Sequence, residues 1–161
     1  MKDMTTYIDY FKKLASAHKT PLDFYVMDIN EFTGALRSSV KYPCLILNGL
    51  QGQLKSNTVD NVSDKTMGGF LIIDHCPMQQ DYDREREIIK ETKEIGLNII
   101  SRMENDRIEC NEDHALLMGF DLNDVKYEMY GPVFDNDYGW NFTFTITDQL
   151  DLTYDPDQWT D

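Results

Sequence analysis

Residues 139–147 read Gly139-Trp140-Asn141-Phe142-Thr143-Phe144-Thr145-Ile146-Thr147. Trp140, Phe142, Phe144 and Ile146 fall on one side of this run, and Asn141, Thr143, Thr145 and Thr147 on the other. Strict alternation of aromatic or β-branched residues with polar ones is the pattern of a half-buried strand. Upstream, Val125, Tyr127, Met129 and Val133 alternate less cleanly. Asp135-Asn136-Asp137-Tyr138-Gly139 stands between the two runs, rich in residues that tolerate turn dihedrals. The segment from Asp124 to Asp148 therefore predicts a hairpin. Two strands alone cannot keep such an aromatic face dry, so other elements must cover it.

Those elements can be found working outward. Towards the N-terminus, Ile88, Thr92, Ile95, Ile99 and Met103 form a helical stripe flanked by Ile89, Gly96 and Ile100. The spacing predicts a long helix from Asp81 or Asp83 to about Glu104, with acids in its first turn where the helix dipole favours them. Gly96 costs about 1 kcal/mol inside a helix, and close approach of helix to sheet would explain it. Tyr42–Leu50 and Met67–His75 read as buried strands. Gln51–Thr66 between them is almost wholly polar and reads as a long, mobile loop of the kind that meets partners. Phe24–Met27 predicts an edge strand and Asn30–Ser38 a short helix, which Gly34 weakens. Tyr7, Ile8, Phe11, Leu14 and Ala15 predict an opening helix that Thr20-Pro21 ends. The expected architecture is a single α+β domain over residues 1–161. It has a roughly four-stranded, mostly antiparallel sheet, two amphipathic helices on one face, and an acidic tail from about residue 149.

The chain of 161 residues carries a net charge of −14, unevenly spread. Residues 104–161 hold 15 carboxylates against Arg107 and Lys126, a balance of −13, whereas residues 1–103 are near neutral. Nucleic-acid binding needs Lys and Arg to displace phosphate counterions, so stable binding of DNA or RNA is not expected. No apolar run approaches the roughly 20 residues that span a bilayer, and the opening lacks a signal peptide's apolar core. Cys44, Cys76 and Cys110 are odd in number and scattered, which argues against a disulfide framework. The expected setting is the cytoplasm or a virion, away from membranes.

No catalytic signature emerges. Cys76, His75, Cys110 and His114 match no common zinc spacing. Asp135-Asn136-Asp137 imitates a calcium loop, but Ile146 occupies the twelfth position. Gly68-Gly69 precedes a strand rather than following one, so it is not a phosphate cradle. Neither an enzyme nor a cofactor-binding protein is expected. The candidate partner-binding residues are Gln51, Lys55, Asn57, Asp60 and Asp64 in the polar stretch, with Asp151, Asp155 and Asp157 in the acidic tail.

The order of elements resembles the small tail-terminator, tail-completion or head–tail joining proteins of tailed bacteriophages and prophages. The matching parts are the opening helix Thr6–His18, the strand pair Tyr42–Leu50 and Met67–His75 around a polar stretch, the helix Asp81–Glu104 and the closing hairpin Val125–Thr147. Residues 108–123 and the acidic tail go beyond that pattern. The resemblance implies a non-enzymatic structural protein that self-associates into a ring, hexameric in that family. Its partners would be tail-tube and connector proteins. An acidic immunity or inhibitor-type protein that covers a basic toxin surface is the alternative, because it would share the size and the asymmetric charge.

Overall fold

The computed structural model of the chain describes residues 4–26, 40–58, 61–109, 112–133, 136–155 and 157. Helix α1 (Met4–Ala17) is followed by strands β1 (Asp23–Val26), β2 (Cys44–Leu47), β3 (Gln51–Thr58) and β4 (Asn61–His75). Helix α2 (Tyr82–Glu109) comes next, then two 3-10 turns, Glu112–Leu117 and Leu122–Asp124, and finally strands β5 (Lys126–Val133) and β6 (Asp137–Leu150). The class is α+β, as the patterns predicted. The sheet, however, has six strands rather than about four, in the order β1-β2-β4-β6-β5 with β3 also beside β4. Among the described strands β1 and β2 run parallel, and the other pairings are antiparallel.

The strand count differs because the described part of Gln51–Thr66 is not a loop. It folds into the β3–β4 hairpin, with Gln51 opposite Met67 and Lys55 opposite Ser63. Its side chains carry no alternation of burial to betray a strand, because the pairing rests on the backbone ladder and on β6 beyond it. The short helix expected at Asn30–Ser38 lies outside the described residues.

Packing follows the two helical stripes. On α1, Tyr7, Tyr10, Phe11 and Ala15 are buried; on α2, Ile88, Thr92, Ile95, Gly96, Ile99, Ile100 and Met103. Both helices meet the same sheet face in a core with Leu45, Leu47, Phe70, Ile72, Phe142, Phe144 and Ile146. Phe70 stacks on Phe142 with ring centroids 5.1 Å apart, and Phe11 on Phe144 at 5.8 Å. Gly96 has its reason: a Cβ there would overlap the Phe142 ring, so the helix pays nothing sterically to lie close against the sheet only if it stays glycine. Asp81 accepts a hydrogen bond from the Arg84 amide at 3.2 Å and caps α2. Trp140 sits at the margin of the core, its indole N–H donating to the Ile89 carbonyl at 2.8 Å. The opposite sheet face has a smaller buried cluster, Cys44, Ile46, Leu71 and Ile73, against which Tyr25, Val40 and Tyr42 pack.

β2 and β3 lie in succession along one edge of β4, with a break at residues 48–50. Gly69 stands opposite that break. The Tyr7 hydroxyl, arriving from α1, accepts from the Gly69 amide and donates to its carbonyl, both at 3.2 Å. Burial pushes the Tyr7 phenol well above its ordinary pKa, so it remains a neutral donor there. The Asn48 amide also donates to the Gly69 carbonyl, at 2.9 Å, so backbone and side chain share that carbonyl while the side chain accepts from the Gly69 amide.

Candidate functional site

Beyond Gly68 the sheet continues as a three-stranded arm made of β3, the first half of β4 and the end of β6. The register places Gln51, Met67 and Thr145 side by side across the three strands. Gln53, Lys65 and Thr147 form the next row, and Lys55, Ser63 and Gln149 the one after. These rows share one face. The other face carries Gly52, Thr66 and Ile146, then Leu54, Asp64 and Asp148, then Ser56, Val62 and Leu150. Gln51 to Ser56 are all exposed, and Leu54, the one large apolar side chain of β3, is 56% exposed. Among the described residues β3 has β4 as its sole strand partner, so its outer edge is open. Lys65 reaches Asp124 at 3.0 Å and ties the arm to the segment ahead of β5.

The arm brings together three of the expected partner-binding residues. Gln51 and Lys55 lie on one face and Asp64 on the other, directly across from Asp148. Like charges opposite one another on adjacent strands repel. Asn57 lies near the end of β3, and Asp60 falls outside the described residues. Asp151, Asp155 and Asp157 form a separate group in the tail after β6, all exposed. The Thr153 hydroxyl and amide both donate to Asp151, at 2.6 and 2.9 Å, and hold its carboxyl below the usual range. The Asp157 amide donates to Asp155 at 3.0 Å. The tail therefore carries local turn structure of its own.

Two polar clusters had no announcement in the sequence reading. Asp137, taken there for a turn residue, is buried; its carboxylate accepts from the Tyr42 hydroxyl at 2.8 Å and pairs with His75 Nδ1 at 2.7 Å. Asn136 Nδ2 donates to the carbonyls of Cys76 and Met78. A carboxylate that orients an imidazole is half of a general-base arrangement. The neighbouring thiol, however, is buried and spent on the Met78 carbonyl at 3.3 Å. The cluster's evident work is to pin the β5–β6 hairpin to the end of β4. The second cluster is Asp106, 1% exposed, which accepts from Tyr10 at 2.9 Å and from Arg102 Nε at 2.7 Å. Burial, then the Asp106 charge, push the Tyr10 phenol upward. A signal for it existed: Asp106 continues the Ile99–Met103 stripe by one more step of three, but helix α2 was expected to end at Glu104.

Among the described residues, no three His, Cys, Asp or Glu side chains converge as metal ligands, and Cys110 of the weighed zinc pattern lies outside them. No described helix is long and apolar enough to cross a membrane. Comparison with protein-family models and with curated proteins finds no match for this chain.

Proposed function

We propose that this chain is a non-enzymatic assembly protein that self-associates into a ring, in the manner of the phage tail-terminator and head–tail joining proteins it resembles. The observation that carries this reading is the open edge of β3, whose residues 51–56 are all exposed. An exposed strand edge offers an unused row of backbone donors and acceptors, and pairing with another chain's edge is a recurrent mode of association. Apart from Gly52 and Leu54, every residue of β3 is polar, which suits an edge that stands in water until it is paired. The acidic balance of residues 104–161 also supports it, because a ring that passes DNA must not hold it.

Sedimentation across a concentration series, with electron microscopy of the largest species, tests the proposal. Closed rings are the expected result, and a monomer at every concentration would overturn it. DNA added at low and moderate salt should not co-sediment above background. The inhibitor-type alternative draws on the same asymmetric charge; a monomer that binds a basic protein tightly would be its signature.

A further inference from the structure

The near-neutral first part of the chain contributes a basic cleft to the structure. Between the last turn of α1 and the C-terminal half of α2 lies a cleft of about 310 Å³. Lys13, Lys19 and Arg102 stand around it, together with His18. Among its described lining residues Asp106 is the one acid, and it already accepts from Tyr10 and Arg102. Leu14, Ala17 and Ile99 supply an apolar strip. The cleft therefore suits a ligand that carries both anionic and apolar groups. Its volume sits at the lower limit of small-ligand pockets, which run from about 300 Å³, so it suits a side chain or two on an extended backbone.

The same chain contains such a segment. After β6, Asp151-Leu152-Thr153-Tyr154-Asp155 alternates acid, apolar, polar, aromatic and acid, and Asp157 follows. Leu152 is 56% and Tyr154 68% exposed. The described tail residues 151–154 border a depression with Val62 at the arm, and no described tail residue lines the basic cleft. We infer that the α1–α2 cleft receives the acidic tail of a second copy, with Leu152 or Tyr154 against the apolar strip and the flanking carboxylates towards Lys13, Lys19 and Arg102. The contact joins two different surfaces, so it is head-to-tail, and head-to-tail contacts generate rings when the rotation closes. This inference rests on the assembly reading above and supplies it with a second interface besides the β3 edge.

Paired charge reversal tests it. Lys13→Glu with Lys19→Glu inverts the cleft without touching Arg102, which holds Asp106; Asp151→Lys with Asp157→Lys inverts the tail. All four positions are exposed, and thermal melts should match the wild type. Each double variant alone should raise the concentration needed for half-assembly by about tenfold or more, the equivalent of losing one modest contact. An equimolar mixture should restore assembly, because every contact between unlike variants is again complementary: native cleft with native tail, and acidic cleft with basic tail. If the wild type assembles and the cleft variant assembles equally well, or if mixing restores nothing, this inference falls while the assembly reading stands. A wild type that never assembles sinks both.

Discussion

The two ends of one sheet follow different rules, although β4 and β6 run through both. Around Phe70, Ile72, Phe142 and Phe144, every inward side chain meets a helix, and Cys44, Ile46, Leu71 and Ile73 are buried on the opposite face as well. A few residues further along the same strands, and on the same face as Phe70 and Phe142, Val62, Asp64, Asp148 and Leu150 pair in the same register but are only half-buried. Backbone pairing is continuous across the boundary; burial is not. Strand formation and core formation are therefore separable here. The first needs a neighbour with free amides and carbonyls, the second needs apolar area removed from water.

That contrast can be broken or sharpened by mutation, and the largest effect belongs to the covered end. Phe142→Ala or Phe144→Ala should cost about 3–5 kcal/mol through lost burial and an unfilled cavity. Thr143→Ala, on the other face, should stay within about 1 kcal/mol. Equal costs in chemical denaturation would break the two-faced picture. Asp106→Ala should come next, at about 1–3 kcal/mol, since the buried Tyr10 hydroxyl loses its acceptor; Tyr10→Phe in the same background should recover part of the loss. A full recovery would show that the unpaired hydroxyl was the whole penalty.

In the arm, the expected effect is on protection rather than on global stability. Amides of β3 should exchange by local opening in the free chain, long before those of β6 between Trp140 and Phe144 exchange. Uniform protection along the sheet would erase the distinction between its ends. Smallest of all, Asp151→Lys with Asp155→Lys and Asp157→Lys should shift unfolding by no more than about 1 kcal/mol, because exposed charges contribute little. A large loss would mean that the tail supports the fold.

How much of this was legible follows from the same contrast. The Trp140–Ile146 alternation and the Ile88–Met103 stripe were readable because burial imposes a period on sequence, and Gly96 was readable because its cost demanded a contact. The β3–β4 hairpin was not, since an exposed strand that satisfies only its backbone leaves no period in its side chains. The partner-binding candidates Gln51, Lys55 and Asp64 stand out by polarity and lie on the arm, but their division between two faces depends on a register that polarity does not encode. The bonds of Asp137 to His75 and Tyr42 and of Asp106 to Tyr10 join residues 62 to 96 positions apart. Their partners become neighbours only once the chain has folded.

The unbroken pairing of β4 with β6 has a mechanical consequence. Its register runs from Val62 opposite Leu150 to His75 opposite Asp137, roughly 45 Å at about 3.4 Å per residue. Antiparallel hydrogen bonds lie perpendicular to the strands, so a pull on the tail along the axis of β6 strains all of them together in shear. A pull across the sheet would instead unzip them singly from the open end. A tail tethered to a neighbour along the strand direction would thus be held by the whole length of the sheet, and tension would reach the Asp137 anchor at the far end before any single bond had to fail.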